Sequence, residues 1–103
     1  MTTADVTVTD AHRLLEEGAL LLDVREDDEW QEVRVEEAMH VPMSRLAAEL
    51  AALPTDRLIA CICHVGGRSA MVSAALGDAG YSAVNVAGGM DAWEAAGLPV
   101  VRG

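Results

Sequence analysis

The chain of 103 residues contains no phenylalanine and no lysine, and aromatic residues make up only 3% of it. Its core must therefore be assembled from Val, Leu, Ala, Ile and Met, which suits a thin layered structure. Trp30 and Trp93 are expected to act as packing anchors within it. The missing lysines exclude Schiff-base chemistry and a lysine general base. No apolar run approaches the roughly 20 residues that a membrane-spanning helix needs. The opening residues Met1-Thr2-Thr3-Ala4-Asp5 lack the basic start and apolar stretch of a signal peptide, so no membrane partner and a cytoplasmic location are expected. Positive charge is scarce as well. Seven arginines stand against 17 acidic residues, for a formal net charge of −10. Such a surface repels phosphate backbones, so no nucleic-acid partner is expected and the acidity reads most simply as solubility.

Cysteine is limited to Cys61 and Cys63. One residue apart on an extended strand, they are poorly placed to bridge each other, and a cytosolic setting disfavours a structural disulfide. Metal binding fails on ligand count, because only His64 is near and no second Cys/His cluster exists. No metal and no cofactor are expected. Two roles remain for the pair: thiol reactivity, or burial as small apolar residues.

A length of 103 residues suits a single domain, residues 1–103. Short β-like runs alternate with helical ones, which favours an α/β fold: a mainly parallel sheet with helices on its faces. Val6-Thr7-Val8 reads as a first strand. A helix capped by Thr9 or Asp10 follows, with Leu14 and Leu15 inward, and ends near Gly18. The apolar run Leu20 to Val24 reads as a strand covered on both faces. Glu26 to Trp30 opens a short solvated helix or turn, and His40-Val41 is a small strand stopped by Pro42. Ser44 caps a helix through Leu46, Leu50 and Leu53 that stops at Pro54. Leu58 to Cys63 is the clearest central strand, followed by a helix over Ser69 to Ala79. Ala83 to Val86 is the last strand, and a short helix surrounds Trp93.

The chemistry concentrates where the central strand meets its helix. Cys63 falls at the carboxyl end of that strand, where open α/β sheets bind their ligands. Residues His64 to Arg68 must curl back to start the helix, and Gly66 and Gly67 permit positive φ and close backbone approach. Such a curl aims several N–H groups at one point, and the helix start adds its positive end. Arg68 adds a permanent charge. A thiolate at that focus is stabilised, so no separate general base is needed. The same cradle would hold the anionic outer sulfur of a persulfide. The reading requires the sulfur to be reachable and ionised near neutrality; a side chain that is sealed off, or one that titrates like an ordinary exposed thiol, would leave only the architecture.

The segment Cys63-His64-Val65-Gly66-Gly67-Arg68-Ser69 resembles the active-site loop of rhodanese-like domains, Cys-x-x-Gly-x-Arg-Ser. Three more motifs follow the family's order: Asp23-Val24-Arg25 with Glu29-Trp30, Ala38 to Pro42, and Gly88-Gly89-Met90-Asp91-Ala92-Trp93 with Gly97-Leu98-Pro99-Val100. The resemblance implies a central five-stranded mainly parallel sheet with helices on both faces, and sulfur transfer through a persulfide on Cys63. It implies His64, Val65, Gly66, Gly67, Arg68 and Ser69 as the loop that binds substrate, with Asp23 and Arg25 organising the site. The implied partners are a small-molecule sulfur donor and a thiol or cyanide acceptor, with a protein acceptor left open. The family's usual turn between Trp30 and Ala38 is replaced by Gln31 to Glu37, so a rebuilt or mobile backbone is expected there.

Two other functions compete. A cysteine phosphatase or arsenate reductase needs the longer Cys-x5-Arg ring to fit a tetrahedral oxyanion, and the spacing here is Cys-x4-Arg. The other is a non-catalytic or sulfur-carrier module acting through protein binding; the retained Cys63 argues against a dead domain and leaves a protein acceptor open. With one certain positive charge in the loop, weak affinity for dianionic thiosulfate and a better response to thiol persulfides are expected. Cys61, a pleat deeper, reads as a core residue, with a resolving thiol as the minor alternative. His64 reads as a loop residue without a visible partner.

Overall fold

The computed structural model describes residues 4–103, so the first three residues of the targeting readout, Met1 to Thr3, lie outside it. Five strands form one parallel sheet: β1 (Asp5–Val6), β2 (Leu20–Asp23), β4 (Met39–His40), β5 (Ile59–Ile62) and β6 (Ala83–Val86), in the order β1-β6-β5-β2-β4. A separate antiparallel pair joins β3 (Val33–Arg34) to β7 (Val101–Arg102). The helices are α1 (Val8–Glu16), α2 (Asp27–Glu32), α3 (Leu46–Glu49), α4 (Gly67–Asp78) and α5 (Gly89–Ala95).

Strand alternation divides the core in two. On β5, Ala60 and Ile62 face a cluster with Val8, Ala11, Met90 and Trp93. Ile59, Cys61 and Cys63 face the other way, against Leu22, Val41, Val72 and Leu76. Trp93 is fully buried, and its indole N–H donates to the Pro99 carbonyl at 3.0 Å. Trp30 is half-buried and stacks on His40, ring centroids 4.5 Å apart.

Three local expectations are corrected. Thr7 ends the first strand and caps α1, its hydroxyl accepting the Asp10 N–H at 3.1 Å; Val8 is already helical. The buried face of α1 is Val8 and Ala11 with Leu15 beside them, whereas Leu14 is half-buried outside that cluster. Ser44 caps no helix. It lies inside a 3-10 turn, Met43–Arg45, and the segment continues as the single-turn α3 and a second 3-10 turn, Leu50–Ala52. The Ser44 hydroxyl instead donates to Glu26 at 2.7 Å. The rebuilt stretch after Trp30 supplies β3, whose partner β7 is too short to read from periodicity.

Candidate functional site

Cys63 directly follows β5, the middle strand, with β2 and β6 as its neighbours. The chain then curls over the sulfur and enters α4 through Gly66, whose φ of +106° suits only glycine. Gly67 is the first residue of α4 and has no positive φ, so the conformational demand rests on Gly66 alone. The loop is fastened from behind by the start of α5. The Met90 and Asp91 N–H groups donate to the carbonyls of Cys63 (2.8 Å) and His64 (3.0 Å). Gly89 (φ +56°) touches this backbone so closely that a Cβ there would sit 2.3 Å from the Cys63 carbonyl oxygen. The Gly88-Gly89 motif thus marks a contact between two backbones.

The Cys63 sulfur accepts the N–H of Gly66 at 3.1 Å and that of Ser69 at 3.4 Å, with the Ser69 hydroxyl at 3.2 Å. Burial is the largest single influence and opposes ionisation. The Ser69 hydroxyl and the N–H groups of Ser69, Gly66 and Arg68 together outweigh it, so the thiol titrates below its ordinary value. The sulfur is also covered: Cys63 is 0% exposed. What lies over it is thin, since His64, Val65 and Gly67 are themselves exposed. Burial, and then the neighbouring Cys63, push the Cys61 thiol up to about 12.

The loop's side chains find partners that linear reading missed. The Arg68 guanidinium does not turn to the sulfur. It grips the Glu29 carboxylate with two bonds of 2.7 and 2.8 Å, and only its backbone serves the cradle. Glu29 is therefore a paired, half-buried acid and not a free one at a helix start. The Arg68 bond, against the cost of burial, holds its carboxyl down at about 2. His64 has a partner too, Asp91 of α5, at 2.8 Å. Val65 stands out from the tip, 62% exposed.

Asp23 and Arg25 are buried at the carboxyl end of β2. Arg25 donates to both Asp23 carboxylate oxygens (2.7 and 3.0 Å) and to the carbonyls of Glu29 (3.2 Å) and Val33 (2.7 Å). This one guanidinium ties α2 to β3, where the segment Gln31 to Glu37 departs from the family's usual turn. The His40 Nε2 lies 2.7 Å from the Arg25 carbonyl. Beside the loop opens a cleft of about 310 Å³, its walls including Arg25, Glu29, His64, Met90 and Arg102. Sequence reasoning missed Asn85, which is buried and bonded to Ser69 at 2.6 Å. A lone amide within the apolar run Ala83 to Val86 was the available signal. Among the described residues no group of three His, Cys, Asp or Glu side chains could hold a metal ion, and no helix is long and apolar enough to cross a membrane.

The chain matches the family model of the rhodanese-like domain over residues 7–96. It is 39% identical to YtwF of Bacillus subtilis over 79 residues, 77% of either chain. It is 35% identical to a sulfurtransferase of Allochromatium vinosum, covering 82% of this chain and 80% of that one. The crystal structure of a rhodanese-related protein from Thermoplasma volcanium superposes with a TM-score of 0.89 at 31% identity, over 95% of this chain and 97% of that one.

Proposed function

The chain belongs to the rhodanese-like domain family, and from that premise we propose that it transfers sulfane sulfur as a persulfide on Cys63. One observation carries this reading. The Cys63 sulfur is held by backbone N–H groups and one hydroxyl that favour its anion, with no basic side chain among the described residues hydrogen-bonded to it. In the first half-reaction the Cys63 thiolate attacks the outer sulfur of the donor. With thiosulfate, the S–S bond breaks, sulfite leaves with the electron pair, and Cys63–S–S⁻ remains. In the second, an acceptor thiolate or cyanide attacks the outer sulfur and the Cys63 thiolate is expelled. Ping-pong kinetics follow.

Because Cys63 is covered, the exposed side chains at the loop tip, His64 and Val65, must move aside before either step, while the Gly66, Arg68 and Ser69 donors stay on the sulfur. With Arg68 committed to Glu29, the loop offers a dianion no free charge. Thiol persulfides are therefore the better donors and thiosulfate the poorer, which paired catalytic efficiencies on the two would test. A sulfur that must return to the thiolate suits a reducing compartment, and we place the chain in the cytoplasm, as one domain over residues 1–103.

The buried sulfur favours one other reading, a module that works through protein binding without carrying sulfur. Intact mass after donor treatment separates the two. One added sulfur atom, removed by dithiol and absent from Cys63→Ser, is expected. An unchanged mass with both donors overturns the transferase reading and leaves the binding module.

A further inference from the structure

Ser69 and Asn85 form a buried hydrogen-bond chain behind Cys63, and Asn85 plays no part in either half-reaction above. The Ser69 oxygen lies 3.2 Å from the Cys63 sulfur and 2.6 Å from the Asn85 side-chain oxygen. The Asn85 amide is oriented by its other end. Its Nδ2 donates to the Asp5 carboxylate at 3.1 Å across the β1–β6 pairing, where Asp5 stands opposite Asn85. A carboxylate only accepts, so the amide nitrogen faces Asp5 and the oxygen faces Ser69.

A serine hydroxyl carries one proton and cannot donate in both directions at once. While Cys63 is a thiol, its S–H can donate to Ser69, whose own proton then goes to Asn85. When Cys63 is a thiolate, the serine proton must swing to the sulfur. Ser69 is 0% and Asn85 4% exposed, so water does not readily replace what the Asn85 oxygen gives up. We propose that Asn85 is a positioning residue that competes with Cys63 for the Ser69 proton, releasing the hydroxyl to the sulfur when it is anionic and taking it back when the sulfur is loaded.

The inference rests on Cys63 being the sulfur carrier and adds a consequence for the cycle. In Cys63–S–S⁻ the inner sulfur is neutral and divalent, so the hydroxyl returns to Asn85. As the acceptor attacks and the inner sulfur becomes a leaving thiolate, the proton turns toward it again. One rotating hydroxyl then serves the nucleophile of the first step and the leaving group of the second. Asn85 keeps the thiolate from being so stabilised that it no longer attacks.

The test is a thiol titration, read from the ultraviolet absorbance of the thiolate against pH, which needs no turnover. Cys61 does not interfere, because its thiol titrates near 12. Of the other charged groups on the surrounding elements, the Asp23–Arg25 and Glu29–Arg68 pairs and His64 with Asp91 keep their partners in each variant. The exposed Asp5 loses its bond from Asn85, a change that the Ser69→Ala background shares and so separates from the hydroxyl's effect. Asn85→Leu removes the competing acceptor at similar volume and should lower the Cys63 pKa by roughly 0.5 to 1. Asn85→Asp pulls harder on the proton, adds negative charge, and should raise it. In a Ser69→Ala background the leucine effect should vanish. A merely structural amide would loosen the cradle and raise the pKa with either variant. Shifts in the same direction, no shift, or a leucine effect that survives Ser69→Ala would overturn the proposal. If the leucine variant fails to fold, Asn85→Ala serves the same arm. Failure to load sulfur at all would sink the transferase reading, whereas the titration decides the role of Asn85.

Discussion

Replacing Glu29 by glutamine removes one charge from the Glu29–Arg68 pair while sparing its neighbours. Glu29 also accepts the Glu26 N–H at 3.1 Å in the capping box that starts α2, and glutamine can make that bond too. A carboxyl held at about 2 instead of 4.5 would correspond, undiluted, to roughly 3 kcal/mol. Both side chains are partly solvated, 29% and 35% exposed, so screening reduces this to about 1 kcal/mol. For a domain of this size, that is a fall in Tm of about 4–8 °C at pH 7. The sign follows from linkage. The folded carboxyl has the lower pKa, so the unfolded chain binds the proton more readily, and the stabilisation is complete above pH 4.5 or so. It drains away as the pH falls through about 2. Thermal melts of wild type and Glu29→Gln between pH 7 and pH 2.5 would therefore converge on acidification. Equal Tm values at pH 7, or a gap that stays constant with pH, would refute this account of the pair.

Three further outcomes are expected. Glu29→Gln also frees the Arg68 guanidinium near the loop, so the ratio of thiosulfate to persulfide efficiency should rise several-fold in low salt and shrink at high salt, as steady-state kinetics would show. Gly89→Ala forces a Cβ into the Cys63 and His64 carbonyls, so sulfur loading by intact mass should be abolished and the melt should drop by more than the Glu29 variant's. Arg25→Met leaves the buried Asp23 carboxylate uncompensated and frees the Glu29 and Val33 carbonyls, costing about 3–5 kcal/mol in urea unfolding.

Alkylation at pH 8 followed by peptide mapping should label Cys63 and spare Cys61, whose burial keeps it protonated to about 12. Equal labelling of both would show that the strand opens as a whole rather than the loop alone.

The cradle was legible in the sequence because its donors are local. Gly66, Arg68 and Ser69 lie within six residues of Cys63, and a strand running into a helix through a glycine with positive φ curls their N–H groups inward without distant help. Periodicity likewise located β2, β5, β6 and α4, where apolar runs are long enough to declare their faces. The two-residue β3 and β7 carry no such signal. They exist because Arg25 holds the Glu29 and Val33 carbonyls, and because the C-terminal strand comes back beside β3.

What the side chains of the loop do was decided by the tertiary structure alone. Arg68 reads as a charge for the sulfur until the chain brings Glu29 to it across 39 positions. His64 gains Asp91 and Ser69 gains Asn85 in the same way. The physical reason is the parallel sheet. Each crossover returns the chain to the same edge, so the carboxyl ends of β2, β5 and β6 meet there, and residues far apart in sequence complete one another's hydrogen bonds.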